Sequence, residues 1–182
     1  MNRTSTLSSR SHDIAQAALA AARKSRPARP KFVSRTADKF VVRASGQLLA
    51  AMAELGKHQL RSANSEVTFA LSESLAGRVR ARTERKCYET TLGPDLAAAV
   101  LKQVVPYDET EVIGRSKSIV RLPDGIRLAI ADCVDRKNPT EPKFRSMNAW
   151  VLDALVWWIN HQRKTYALLN ACIAMNTEGE LA

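Results

Sequence analysis

The chain has 182 residues, with 28 Lys and Arg against 18 Asp and Glu, which gives a formal net charge of +10 and a pI of about 10.0. Such an excess of positive charge favours a polyanionic partner, either nucleic acid or an anionic membrane. No apolar run approaches the roughly 20 residues that span a bilayer, and the start of the chain lacks a secretory core, so we expect a cytoplasmic protein without membrane contact. Three isolated cysteines predict no disulfide, metal site or cofactor.

Residues 1–38 carry 8 basic and 2 acidic side chains. An alanine-rich stretch over residues 13–24 predicts a short helix, and Pro27 and Pro30 disfavour helix beyond it. We interpret this segment as a basic N-terminal arm, partly helical or disordered.

Residues 39–82 form the first of two similar segments. Residues 39–44 alternate so that Phe40 and Val42 share one face of a predicted strand. Ser45 then stands where a helix N-cap belongs. A second helix begins after another N-cap candidate, Ser62, within the signature Arg-Ser-Ala-Asn at residues 61–64.

Residues 83–114 separate the two segments and reverse the charge balance, with 3 basic and 6 acidic side chains. The run from Pro94 to Val105 predicts a short helix that Pro106 ends. We interpret this part as an acidic connector, held away from any polyanion that the basic segments bind.

Residues 115–164 repeat the first segment: a strand over residues 117–122, Pro123 in the first turn of a helix, and Arg-Ser-Met-Asn at residues 145–148 before a second helix. The turn before Arg145 is about six residues longer than its counterpart, an insertion that loop closure tolerates. Residues 165–182 predict a helical extension and tail, which could hold a protein partner.

A lone strand leaves its backbone groups without partners, so each segment requires another strand. Pairing the two copies gives an antiparallel two-stranded ribbon backed by four helices, a mainly α fold with a short β-ribbon. We favour pairing within one chain, as an intramolecular pseudo-dimer, because linkage raises the effective concentration of the second strand to the order of millimolar. Pairing between two chains, as a homodimer, remains the alternative.

The chain resembles, in two tandem copies, the Arc-like ribbon-helix-helix family of DNA-binding proteins. The resemblance rests on residues 39–43 with 61–66 in the first copy, and on residues 118–123 with 145–149 in the second. The resemblance implies that outward strand residues read bases in double-stranded DNA while the start of the second helix binds phosphate. The implied base-reading residues are Lys39, Val41, Arg43, Lys117, Ile119 and Arg121. The implied phosphate-binding residues are Ser62, Ala63, Asn64, Ser146, Met147 and Asn148.

This interpretation predicts a non-enzymatic, sequence-specific DNA-binding protein, and we expect a transcriptional repressor. Two alternatives stay open. The first is a relaxosome or partition accessory protein of a mobile element, and the second is an antitoxin or other protein-interaction module. Because the two copies differ, we also expect an asymmetric DNA site.

Overall fold

The computed structural model describes Gln16, Ala17 and Ala20, which are helical, and residues 38–109, 114–135 and 144–180. The predicted helix over residues 13–24 therefore lies largely outside the described residues, and so does most of the turn before Arg145. The chain divides after Thr36. The second unit contains, in chain order, β1 (Asp38–Ala44), α1 (Gly46–His58), α2 (Ala63–Leu75), α3 (Val79–Leu92), α4 (Pro94–Lys102), β2 (Ser116–Leu122), α5 (Ile126–Asp135) and α6 (Met147–Glu180).

β1 and β2 form a two-stranded antiparallel ribbon within the one chain. Val41 pairs with Ile119 at its centre. Both strands alternate as their sequences predict, because successive side chains of a strand point to opposite faces. Val42, Ala44, Val120 and Leu122 are buried on the inner face. The intramolecular pairing predicted from the sequence is therefore the one in the structure.

The inner face of the ribbon closes a core supplied by both halves of the chain. Leu48 and Met52 of α1 join Leu71 of α2 beneath the ribbon, and all three are fully or almost fully buried. Val151 and Leu155 of α6 complete the same cluster. Burying side chains of this size contributes about 1.5–3 kcal/mol each, so the ribbon is stable only as part of this helical assembly.

Three serines start helices where the sequence predicts. The Oγ of Ser45 accepts a hydrogen bond from the N–H of Leu48, at 3.0 Å, and begins α1. Ser62 and Ser146 accept in the same way from Ser65 and Ala149, both at 3.1 Å. Pro123 differs from its prediction, because it lies in the turn that precedes α5 rather than in the first turn of the helix.

The connector contains two helices where the sequence predicts one. The predicted boundary at residue 82 falls inside α3. α3 has only two buried residues, Ala81 and Leu92, and gives little apolar pattern to recognise. Leu92 and Ala97 pack with Leu168 and Cys172 in a second small core. The connector is thus docked on the extension of α6, which continues through Glu180 as the sequence predicts.

The turn between α1 and α2 contains a leucine in a conformation that favours glycine. Leu60 has φ of 56° and is 97% exposed. Left-handed backbone brings a Cβ close to the following carbonyl oxygen, and this side chain buries no surface in return. We expect Leu60→Gly to raise the free energy of unfolding in urea by about 0.5–1 kcal/mol. Arg78→Gly provides the contrast.

Arg78 also has a left-handed backbone, with φ of 62°. Its guanidinium, however, binds Asp153 at 2.6 Å and lies over the ring of Trp157. Arg78→Gly loses these contacts and should not be stabilising. Equal gains from both substitutions would contradict the explanation.

A buried histidine lies on α6 among residues of three helices. His161 is 3% exposed, stacks on the ring of Trp157, and its Nε2 lies 3.3 Å from the Oγ1 of Thr165. Its Nδ1 has no hydrogen-bond partner among the described residues. Burial, together with the positive charge of Arg85, lowers the pKa of His161 to about 4, and Glu73 opposes this only in part. The ring is therefore neutral in the folded protein at neutral pH.

This histidine makes stability depend on pH. Between pH 6.5 and 4 the unfolded chain binds a proton at His161 that the folded chain does not, so the free energy of unfolding should fall by up to about 3 kcal/mol as the pH decreases. His161→Phe keeps a ring against Trp157 and should flatten this dependence in urea titrations. Parallel pH profiles for the wild type and His161→Phe would contradict this assignment.

Candidate nucleic-acid interface

The outer side of the ribbon presents six exposed side chains in two rows, which we call the ribbon face. They are Lys39, Val41, Arg43, Lys117, Ile119 and Arg121. Val41 and Ile119 are 42% and 65% exposed, although both are apolar and branched. The sequence predicted that all six side chains point outward, because they alternate along each strand with residues that were expected to face the core.

Like charges are paired across the two ends of the ribbon face. Lys39 lies opposite Arg121, and Arg43 lies opposite Lys117. Like charges directly opposite each other destabilise a sheet, and no ion pair among the described residues neutralises these four cations. The face is thus electrostatically unfavourable in the free protein and favourable beside a polyanion.

Two asparagines attach helix starts to the outer edges of the ribbon. The Oδ1 of Asn64 accepts from the N–H of Arg121 at 2.7 Å, and its Nδ2 donates to the carbonyl of the same residue at 3.1 Å. Asn148 makes the same pair of bonds with Arg43, at 2.8 and 3.0 Å. Each asparagine thus acts as an edge clamp, satisfying backbone groups that a two-stranded ribbon leaves open.

The edge clamps change what can be expected of Asn64 and Asn148. The sequence implied that these residues bind phosphate, and in the structure their side chains bond both polar groups of a strand residue. The backbone N–H groups of residues 63–64 and 147–148 donate to no protein acceptor among the described residues. Free amides of this kind, at the positive end of a helix dipole, are suited to binding an anion.

Removing an edge clamp should destabilise the fold measurably. Asn64→Ala or Asn148→Ala deletes two hydrogen bonds, and we expect the free energy of unfolding to fall by about 1–2 kcal/mol in urea denaturation. Asn170→Ala, at an exposed position in the middle of α6, serves as the control and should lose nothing. A clamp substitution as mild as the control would contradict this role.

The start of α2 also holds a buried carboxylate. Glu66 is fully buried, accepts from the Nε1–H of Trp158 at 2.7 Å, and pairs with Arg61 at 3.1 Å. The pairing of Arg61 with Glu66 could be read from their spacing. The contribution of Trp158 could not, because it is 92 residues away along the chain.

Residues 103–109 follow α4 and form a short strap. The strap contacts α6 on one side and the end of β1 on the other. Asn160 fixes its middle by bonding the N–H and carbonyl of Tyr107, at 2.6 and 3.0 Å. Glu109 accepts from the N–H and hydroxyl of Ser45, at 2.9 and 2.7 Å, where a carboxylate favours the start of α1. Burial raises the pKa of Glu109, but hydrogen bonds from Tyr107 and Ser45 outweigh it and leave the pKa lowered.

The described residues show neither a helix able to cross a membrane nor a group of His, Cys, Asp and Glu side chains able to hold a metal ion.

Comparison with known proteins adds one finding. A family model described as an Arc-like DNA binding domain matches residues 34–81. The matched stretch contains β1, α1 and α2, that is, the first strand and the two helices that follow it. The second strand and its helices lie outside the match. No curated protein and no solved structure matched the chain.

Proposed function

We propose that this protein binds double-stranded DNA in a sequence-specific manner, by inserting the ribbon face into the major groove, and that it represses transcription. The observation that supports this most directly is the ribbon face itself. Four cations that form no ion pair within the described part of the chain lie together with two exposed branched apolar residues, on a ribbon whose two edges are each joined to the start of a helix. The family match over residues 34–81 points to the same activity.

The chemistry of the ribbon face suits base reading. Strands in a sheet lie about 4.8 Å apart, and a two-stranded ribbon fits a major groove about 12 Å wide. Arginine and lysine side chains donate to guanine O6 and N7, and branched apolar side chains contact the methyl group of thymine. Lys39, Arg43, Lys117 and Arg121 take the first role, and Val41 and Ile119 take the second.

Phosphate binding falls to the helix starts on either side. In this proposal the backbone amides at Ser62, Ala63 and Asn64 bind one DNA strand, and those at Ser146, Met147 and Asn148 bind the other. The side chains of Asn64 and Asn148 position these amides relative to Arg121 and Arg43. We further infer that residues 115–164 form a second ribbon-helix-helix copy, so that a single chain is a complete binding unit.

Methylation interference tests whether the protein binds in the major groove. Duplexes that bind the full chain are isolated from a random pool and then methylated at guanine N7, in the major groove, or at adenine N3, in the minor groove. We expect methylation at guanine N7 to block binding, whereas methylation at adenine N3 should not. The reverse pattern would contradict entry into the major groove.

The repressor role needs a separate test. Placing the selected site across a promoter should lower transcription in a reconstituted assay when the protein is added. Unchanged transcription would contradict repression and leave the DNA-binding proposal in place.

A further inference from the structure

The ribbon face is symmetric in residue type, although the two halves of the chain are not. A half-turn about the Val41–Ile119 pair exchanges the two strands. It places Lys39 on Lys117 and Arg43 on Arg121. Each end of the face therefore carries one lysine beside one arginine, and the centre carries two branched apolar side chains, one from each strand.

The spacing of the face matches that of base pairs. Residues rise about 3.4 Å along an antiparallel strand, which is also the rise per nucleotide of one DNA strand. Lys39 and Arg43, at opposite ends of β1, are thus about 13 Å apart, or about four base-pair steps. A symmetric protein surface is matched by a symmetric site, since the two strands of a duplex are also related by a half-turn.

We propose that one chain recognises a single quasi-palindromic core of about five base pairs, with a guanine near each end on opposite strands and A·T pairs at its centre. This inference rests on the proposed function and specifies the DNA that the ribbon face selects. Arg43 and Arg121 each read one of the guanines, and Val41 and Ile119 contact thymine methyl groups between them.

The asymmetry of the DNA site that we expect from the sequence then lies in the DNA on either side of this core. The two helix starts differ, with Ala63 and the buried Glu66 on one side and Met147 and Trp150 at the equivalent positions on the other. These residues lie beside backbone amides suited to binding phosphate, and phosphate contacts carry no direct information about the bases. The two helix starts can therefore contact the DNA differently on the two sides of the core without changing the symmetry of the core itself.

Selection from a random duplex library tests the inference with the full chain. We expect the wild type to enrich the quasi-palindromic core. Arg43→Ala should reduce the preference for guanine at one end only, by about 5- to 150-fold, and Arg121→Ala should do so at the opposite end only. Arg82→Ala, at an exposed arginine of α3, is the control and should leave the enriched core unchanged.

The outcomes separate this inference from the proposed function. An asymmetric enriched core, or a loss at the same end from both arginine substitutions, would overturn the inference while sequence-specific binding stands. The absence of any enriched core, with binding still weakened by Arg43→Ala and Arg121→Ala, would overturn it and leave only non-specific binding. Binding that is unaffected by both substitutions would overturn the ribbon as the DNA-binding surface.

Discussion

Replacing Arg43 and Arg121 together with alanine should abolish most of the discrimination between the selected duplex and random DNA. Each arginine has an exposed guanidinium with no ion-pair partner among the described residues, as a bidentate contact with guanine requires, and such a contact contributes about 1–3 kcal/mol of discrimination. The double substitution should therefore remove about 2–6 kcal/mol. Competition binding, with labelled selected duplex and unlabelled random duplex at a fixed salt concentration, measures this difference directly.

The control for this experiment removes the same charge elsewhere. Arg82→Ala with Lys86→Ala deletes two exposed cations of α3. Because long-range attraction to DNA falls as the net positive charge falls, and both double variants lose two charges, both should bind random DNA more weakly than the wild type. Only the ribbon variant should lose discrimination between selected and random DNA. If the ribbon variant retained this discrimination, base reading by the two arginines would be contradicted.

Trp158→Phe should destabilise the protein by about 3–5 kcal/mol, although the change preserves an aromatic side chain. The Nε1–H of Trp158 bonds one oxygen of the fully buried Glu66 carboxylate at 2.7 Å. Without this donor, one oxygen of the buried carboxylate loses its hydrogen bond while the other keeps its contact with Arg61, and the smaller ring also leaves a cavity in the core, so both losses add. Urea denaturation at pH 7, followed by circular dichroism, provides the measurement.

Two further variants separate the lost hydrogen bond from the lost volume. Trp157→Phe makes the same change at the neighbouring, half-buried tryptophan, and should destabilise the fold much less. Adding Glu66→Leu to Trp158→Phe removes the buried carboxylate and should restore most of the stability, because apolar residues can replace a buried ion pair. A loss no larger than that of Trp157→Phe, or no recovery in the double variant, would contradict this account.

The parts of the fold that follow from local pattern could be predicted from the sequence. Alternation identified the inner and outer residues of both strands, since side chains of a strand alternate whatever the strand packs against. Ser45, Ser62 and Ser146 marked three helix starts, because an N-cap bonds an amide only a few residues away. The ribbon face, six residues from two distant segments, was predictable because each strand alternates in this way.

Contacts between distant residues were not predictable in this way. The sequence suggested phosphate contact for Asn64 and Asn148, and only the paired strands bring Arg121 and Arg43 to their amide groups. α3 escaped prediction because a charged helix with two buried residues has almost no apolar periodicity.

The sequence by itself determined the charge of the chain, the two strands with the helix starts that follow them, and the residues that face outward from the ribbon. The tertiary structure decided which strands pair, which backbone groups the asparagines bond, and which donor accompanies Glu66 in the core. The physical reason is the range of the interactions. Side-chain direction and helix capping depend on a few neighbouring residues, whereas a partner 57 or 92 residues away is selected by packing of the whole core.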